Sequence, residues 1–157
     1  MNTDIETLKR EVKHLPPLAR RRAERELGLP VTPSGEHKVF VYGTLLTGEG
    51  NARWARDARR QRAWTTGTIY EIGCGFPAFE KKGTTHVVGE VLTADDEAFA
   101  SMDRLEGYPR LYRREKIRCY LEGGGCVSAW VYVMNRLPDG AKPIECGDWR
   151  KFRRGIG

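Results

Sequence analysis

The apolar pattern of this chain changes period near Lys38, and that change limits what it can fold into. Before it, Ile5, Leu8, Val12 and Leu15 recur at helical spacing, with Thr3 placed to cap the turn. Pro16-Pro17 interrupts the pattern, and a second short helix is expected from Pro17 to Leu27, stopped by Gly28 and Pro30. Residues 30–37 have the composition of a linker. After Lys38, Val39-Phe40-Val41-Tyr42 is a β-rich run that halts at Gly43, followed by helical character from Gly50 to Arg60. Further strands are expected at Trp64–Ile72 and His86–Leu92, with a loop through Gly73–Pro77 between them. Thr93-Ala94-Asp95-Asp96 reads as a capping-box variant, with the Thr93 hydroxyl as cap, opening a helix to about Glu106. Arg114–Leu121 and Cys126–Met134 close the chain as a hairpin. Five or six strands with two helices between them predict an α+β fold, a small mixed β-barrel with flanking helices. Residues 1–36 then form a helical arm and linker, and residues 37–157 a single domain.

Composition narrows the function classes. At 157 residues, 39% hydrophobic and 31% charged, the chain has material for one core of ordinary size. Its apolar runs are only a few residues long, against roughly 20 for a spanning helix, so a soluble protein with no membrane partner is expected. The start, Met1-Asn2-Thr3-Asp4-Ile5-Glu6, is acidic and lacks an apolar core, unlike a secretory or transit signal, which points to the cytoplasm. The net charge of +6 is spread over Arg53–Arg62, Arg104–Arg118 and the tail after Asp148. With no aromatic-rich basic element among these, nucleic acid is not the expected partner, and an attraction for small anions is the functional alternative to a solvated surface. The arm nearly balances seven Lys or Arg with six Asp or Glu, so docking onto the body or onto a second copy in a homodimer is expected of it.

The cysteines, Cys74, Cys119, Cys126 and Cys146, include no C-x-x-C, and His14, His37 and His86 are not at ligand spacing, so no metal site is expected. A two-residue turn within Glu122–Gly125 would set Cys119 opposite Ser128, and all four thiols are expected reduced, mostly as packing groups.

Three features could carry chemistry. Phe99, Met102 and Glu106 stand at i, i+3 and i+7, so a carboxylate continues the apolar face of a helix. Desolvation raises such a group's pKa, Asp103 one turn back would raise it further, and the result suits general acid/base work. The structural alternative is an ion pair with Arg104, Arg110, Arg113 or Arg114. At the end of the first body strand, Tyr42-Gly43-Thr44-Leu45 offers a glycine for close backbone approach, successive N–H groups and a hydroxyl. Directly after Glu106, Gly107 ends the helix, Pro109 fixes the exit, and Tyr112 is either aimed back at Glu106 or is a strand-start core residue.

Taken together, Val39–Leu45, the Gly-x-x-Asn at Gly48–Asn51, Gly75-Phe76-Pro77-Ala78, Val88-Gly89-Glu90-Val91, and Met102–Pro109 with Tyr112 resemble the gamma-glutamylcyclotransferase-like superfamily. Its bacterial and gamma-glutamylamine-type branch is the nearest in pattern, over residues 38–135. The resemblance implies a small mixed β-barrel, a substrate-cradling loop of Tyr42, Gly43, Thr44 and Leu45, Glu106 as catalytic acid/base, and Tyr112 in the same pocket. Thr44 stands where many members have Ser, keeping the hydroxyl.

It implies no cofactor and a small gamma-glutamyl substrate. The expected reaction is an intramolecular aminolysis, in which the free α-amine closes on the γ-carbonyl to give 5-oxoproline and release an amine. The alternatives are gamma-glutamyl transfer or removal in a specialised pathway, and a non-catalytic protein that binds a small metabolite or interacts through its arm.

Overall fold

The computed structural model describes residues 4–55 and 58–156. The element order is α1 (Ile5–Val12), α2 (Pro17–Glu26), β1 (His37–Val41), a single 3₁₀ turn (Ala52–Ala55), β2 (Arg59–Glu71), β3 (Pro77–Ala94), α3 (Asp96–Leu105), β4 (Tyr112–Leu121), β5 (Cys126–Met134), β6 (Lys142–Pro143) and α4 (Trp149–Arg153). The strands follow the order β3-β1-β5-β4-β2, and β2 pairs back onto β3, closing a five-stranded mixed barrel. Only β1 and β5 run parallel; β6 adds a short antiparallel rung to β2.

Closure depends on the length of β3. Its 18 residues serve β2 along most of their length and β1 through the segment from Glu90 to Ala94, which lets one strand join both edges. Only its half from His86 is legible as a strand in the sequence, because Lys81–Thr84 form an exposed irregularity with no apolar alternation, where the β2–β3 register shifts. Gly89 sits at the tightest point: a Cβ there would lie 2.2 Å from the carbonyl oxygen of Val41 and 2.6 Å from the Phe40 ring.

Period-2 alternation sorts the core into two compartments. Phe40, Tyr42, Phe79, Ile69, Val87, Val131 and Val133 fill the barrel interior, and Trp149 of α4 packs with them. Val39, Val41, Leu92, Tyr132 and Met134 face outward and are covered by Phe99 and Met102 of α3 and by Leu45 and Leu46.

Several local expectations are corrected. The helix expected over Gly50–Arg60 is only the 3₁₀ turn, and Arg59 and Arg60 already belong to β2. Asp95 rather than Thr93 caps α3: its carboxylate accepts from the N–H of Ala98, while Thr93 remains in β3 and its hydroxyl accepts from Lys38 Nζ. The hairpin turn uses three residues, so Cys119 faces Val127, one position from the expected Ser128; the N–H of Leu121 donates to the Gly125 carbonyl to close it. All four thiols are free, but only Cys119 is buried, with Cys74 and Cys126 exposed.

In the arm, Asp4 caps α1; the expected cap Thr3 lies outside the described residues. Of the apolar stripe, Val12 is buried and Leu8 half-buried, whereas Ile5 and Leu15 are exposed. Arg21 of α2 is buried and pairs with Asp96 at the start of α3, where His37 and the N–H of Gly35 also meet the same carboxylate. Arg25 lies 3.4 Å from Glu97. Although burial opposes ionisation of Asp96, the hydrogen bonds from His37 and Arg21 hold its carboxyl at about 2.

Candidate active site

β1, α3 and the start of β4 meet around a cavity of about 210 Å³ lined by Tyr42, Gly43, Thr44, Asn51, Phe76, Pro77, Leu105, Glu106, Leu111 and Tyr112. The chain reaches this place because β1 runs out of partners after Val41 and turns at Gly43, while α3 ends at Leu105 with Glu106 as its C-cap. Gly107, at φ +66°, then reverses the chain so that Tyr112 can open β4 on the opposite wall.

Each polar group on the walls has a fixed setting. The Tyr42 hydroxyl donates to the Tyr132 carbonyl at 2.8 Å, and the Tyr112 hydroxyl donates to the Pro77 carbonyl at 3.2 Å. Thr44 Oγ1 accepts from Asn51 Nδ2 at 3.0 Å, and the Asn51 N–H donates to the Thr44 carbonyl at 2.8 Å. No backbone carbonyl among the described residues accepts from the N–H of Thr44 or Leu45. Burial, followed by the nearby Glu106 charge, raises the Tyr112 hydroxyl well above the ordinary range, and burial does the same to Tyr42; both rings stay neutral donors.

Among the described residues, Glu106 is the one carboxylate on the lining. Burial raises its carboxyl from 4.5 to about 7. Asp103 adds nothing to that rise, contrary to the expectation, since its carboxylate accepts from the Tyr132 hydroxyl at 2.7 Å and lies 3.5 Å from Arg114 Nε. The alternative of an ion pair is not realised among the described residues: Arg104 bonds Ser101, Arg113 pairs with Glu115 at 3.0 Å, and Arg114 faces Asp103. Neither Arg110 nor Arg113 lines the cavity, so the expected cationic help for an anionic substrate has no counterpart on its walls.

A carboxyl held protonated by burial costs stability once it ionises. The native protein keeps Glu106 neutral to about pH 7, whereas the unfolded chain ionises it from about 4.5, so stability from this group is complete below 4.5 and lost as pH rises through 7. Glu106→Gln is therefore expected to match the wild type in melting temperature near pH 4.5 and to exceed it above pH 7, by about 3 kcal/mol or some 5–10 °C. A difference that does not grow with pH, followed by calorimetry, would remove Glu106 from its buried setting.

Five of the six residues singled out in the sequence, Tyr42, Gly43, Thr44, Glu106 and Tyr112, meet at this cavity. Leu45 does not line it: its side chain is 3% exposed and packs in the outer core, leaving only its backbone to the loop. Gly43 carries a packing constraint besides the expected close approach of backbone to a ligand. A Cβ on it would sit 2.7 Å from both Cδ and Cγ of Pro77, so the glycine is required by the packing of the cavity's own wall. Asn51, Phe76, Pro77, Leu105 and Leu111 are lining residues that the sequence does not single out; the first four lie in the motifs that carry the resemblance, and Leu111 stands beside Tyr112, but nothing in spacing says which way they face.

The closed mixed barrel thus sets Glu106, whose carboxyl burial raises, in one cavity with the strand-end loop Tyr42–Thr44. Residues 39–151 match the family described as "Gamma-glutamyl cyclotransferase, AIG2-like", and the chain belongs to that family. It is similar to the gamma-glutamylcyclotransferase family protein YtfP of Escherichia coli, 34% identical over 114 residues that span 71% of this chain and 95% of that one. It is 32% identical over 122 residues to the gamma-L-glutamyl-butirosin B gamma-glutamyl cyclotransferase of Niallia circulans, covering 73% and 76% of the two chains. The crystal structure of a mouse AIG2-like protein superposes with a TM-score of 0.58 at 26% identity, over 66% of this chain and 80% of that one.

Proposed function

We propose that the protein converts a gamma-glutamyl amine, or a related gamma-glutamyl conjugate, to 5-oxoproline and free amine. The observation that carries this is Glu106, a solitary carboxyl poised near neutrality on the wall of a small cavity. Ionised Glu106 takes a proton from the substrate's α-ammonium, and the freed amine attacks its own γ-carbonyl carbon. The bond to the leaving nitrogen then breaks as Glu106 returns the proton to it, and the second proton shed by the new ring nitrogen passes to the ionised Glu106 and on to the released amine, which leaves as its ammonium. The N–H groups after Gly43, with the Thr44 hydroxyl, are the donors for the carbonyl oxygen as charge develops on it. Because the nucleophile belongs to the substrate, the cavity has only to hold a folded conformer.

Phe76, Leu105 and Leu111 give the walls an apolar share, which favours an amine without a second anionic group. The relative named for gamma-L-glutamyl-butirosin B supports a gamma-glutamyl conjugate as the substrate class. Incubating the protein with a panel of gamma-glutamyl amines, gamma-glutamyl peptides and glutathione, and assaying 5-oxoproline, tests it. Release of free glutamate would favour gamma-glutamyl removal, and binding without turnover would make it a metabolite-binding protein.

The arm we read as docked on the body, supported by Arg21 on Asp96 and Arg25 near Glu97. Removing residues 1–34 takes Arg21 from the half-buried Asp96 and strips α2 from α3, and is expected to cost about 2 kcal/mol, lowering the melting temperature by about 5 °C. Turnover at Glu106 should survive. An unchanged melting temperature and oligomeric mass would make the arm a loose appendage.

A further inference from the structure

Glu106 lies on no regular element: it follows the last residue of α3, and its backbone N–H bonds only within that last turn. Its placement must come from its neighbours. Two of them, Phe99 on α3 and Tyr108 just beyond the turn, hold the guanidinium of Arg114 from the two sides of Glu106, with ring centroids 4.5 and 4.2 Å from its central carbon. Trp130 of β5 adds a third ring at 5.3 Å. Arg114 Nε is buried without a hydrogen-bond partner among the described residues, so rings and charge hold this side chain in place of a fork of hydrogen bonds. The charge it faces is Asp103, one helical turn before Glu106. Asp103 also receives the Tyr132 hydroxyl, and the Tyr132 carbonyl in turn receives the hydroxyl of Tyr42 on the cavity wall.

We propose that Arg114 is a positioning residue for Glu106, fastening both flanks of the turn that carries it to β4 and β5 and neutralising Asp103, the carboxylate one turn away. Tyr132 completes the brace, joining Asp103 on one side of the turn to Tyr42 on the other. The titratable and charged groups around Glu106 are then Tyr42 just after β1, Tyr112 and Arg114 from β4, Tyr132 from β5 and Asp103 from α3, with Cys74 close to Tyr112. Of these, Asp103 and Arg114 are the charged pair, and each hides the other from Glu106.

The proposal rests on Glu106 as the proton carrier, yet its test reads the carboxyl itself. In full-length protein carrying ¹³C-labelled glutamate, the Glu106 resonance is assigned by its loss in Glu106→Gln and titrated. Arg114→Met exposes Glu106 to an unpaired Asp103 and should raise the midpoint by at least about half a pH unit. Asp103→Asn leaves Arg114 unpaired and should lower it, and the double variant should return close to the wild type. Arg114→Lys keeps the charge without the planar stacking and should leave the midpoint near the wild type, while kcat falls about tenfold with KM little changed. Should Arg114→Met fail to fold, Asp103→Asn decides: an unchanged or raised midpoint overturns the proposal, as does an unchanged midpoint in a folded Arg114→Met. A wild type without turnover but with midpoints displaced in these opposite senses would overturn the cyclotransferase reading and leave the brace standing.

Discussion

Replacing Glu106 by Gln is expected to lower turnover by roughly 10²- to 10⁴-fold while ligand affinity changes little, since the amide keeps the shape of the carboxyl and loses its proton traffic. In the wild type, kcat/KM should rise with pH through about 7, because base action requires ionised Glu106 and burial sets its midpoint there. Any residual activity of the variant should lack that limb. Rates within about threefold of the wild type, or an acid limb that persists in Glu106→Gln, would assign the proton transfer elsewhere. The same substitution is expected to stabilise the protein above neutrality, so its melting temperature separates loss of fold from loss of rate.

Gly43→Val should raise KM by about tenfold or more, or abolish binding, through a wall and not through the ligand. The new Cβ would meet two ring carbons of Pro77 at 2.7 Å, and a proline ring has no rotamer by which to yield. Pro77 must move, and its carbonyl carries the Tyr112 hydroxyl, so the strain reaches the facing side of the cavity. Overpacking of this kind costs about 1–3 kcal/mol, small enough for the variant to fold and be assayed. Gly43→Ala should act in the same direction, since it places the same Cβ. A folded Gly43→Val with normal kinetics would make the loop a connector only.

The sequence by itself determined the class of fold and pointed to half of the residues that line the candidate cavity, because both are written in short-range pattern. The change of period at Lys38 separates helices from strands, and Glu106 is visible as a carboxylate continuing the apolar face of Phe99 and Met102. Tyr42 and Thr44 are legible in a strand that ends on glycine. What only the tertiary structure decided are matters of distance between segments far apart in the chain. Nothing in the local pattern says that Gly43 abuts Pro77, that Leu45 turns into the outer core, or that α3 is capped by Asp95 because Thr93 is still held in the sheet. Nor does it say that Asp103 is taken by Tyr132 and Arg114. A carboxylate's neighbours on its own helix follow from spacing, whereas the cations and donors that reach it from other strands follow from the closure of the barrel. That closure leaves Glu106 as the carboxyl shifted by burial alone.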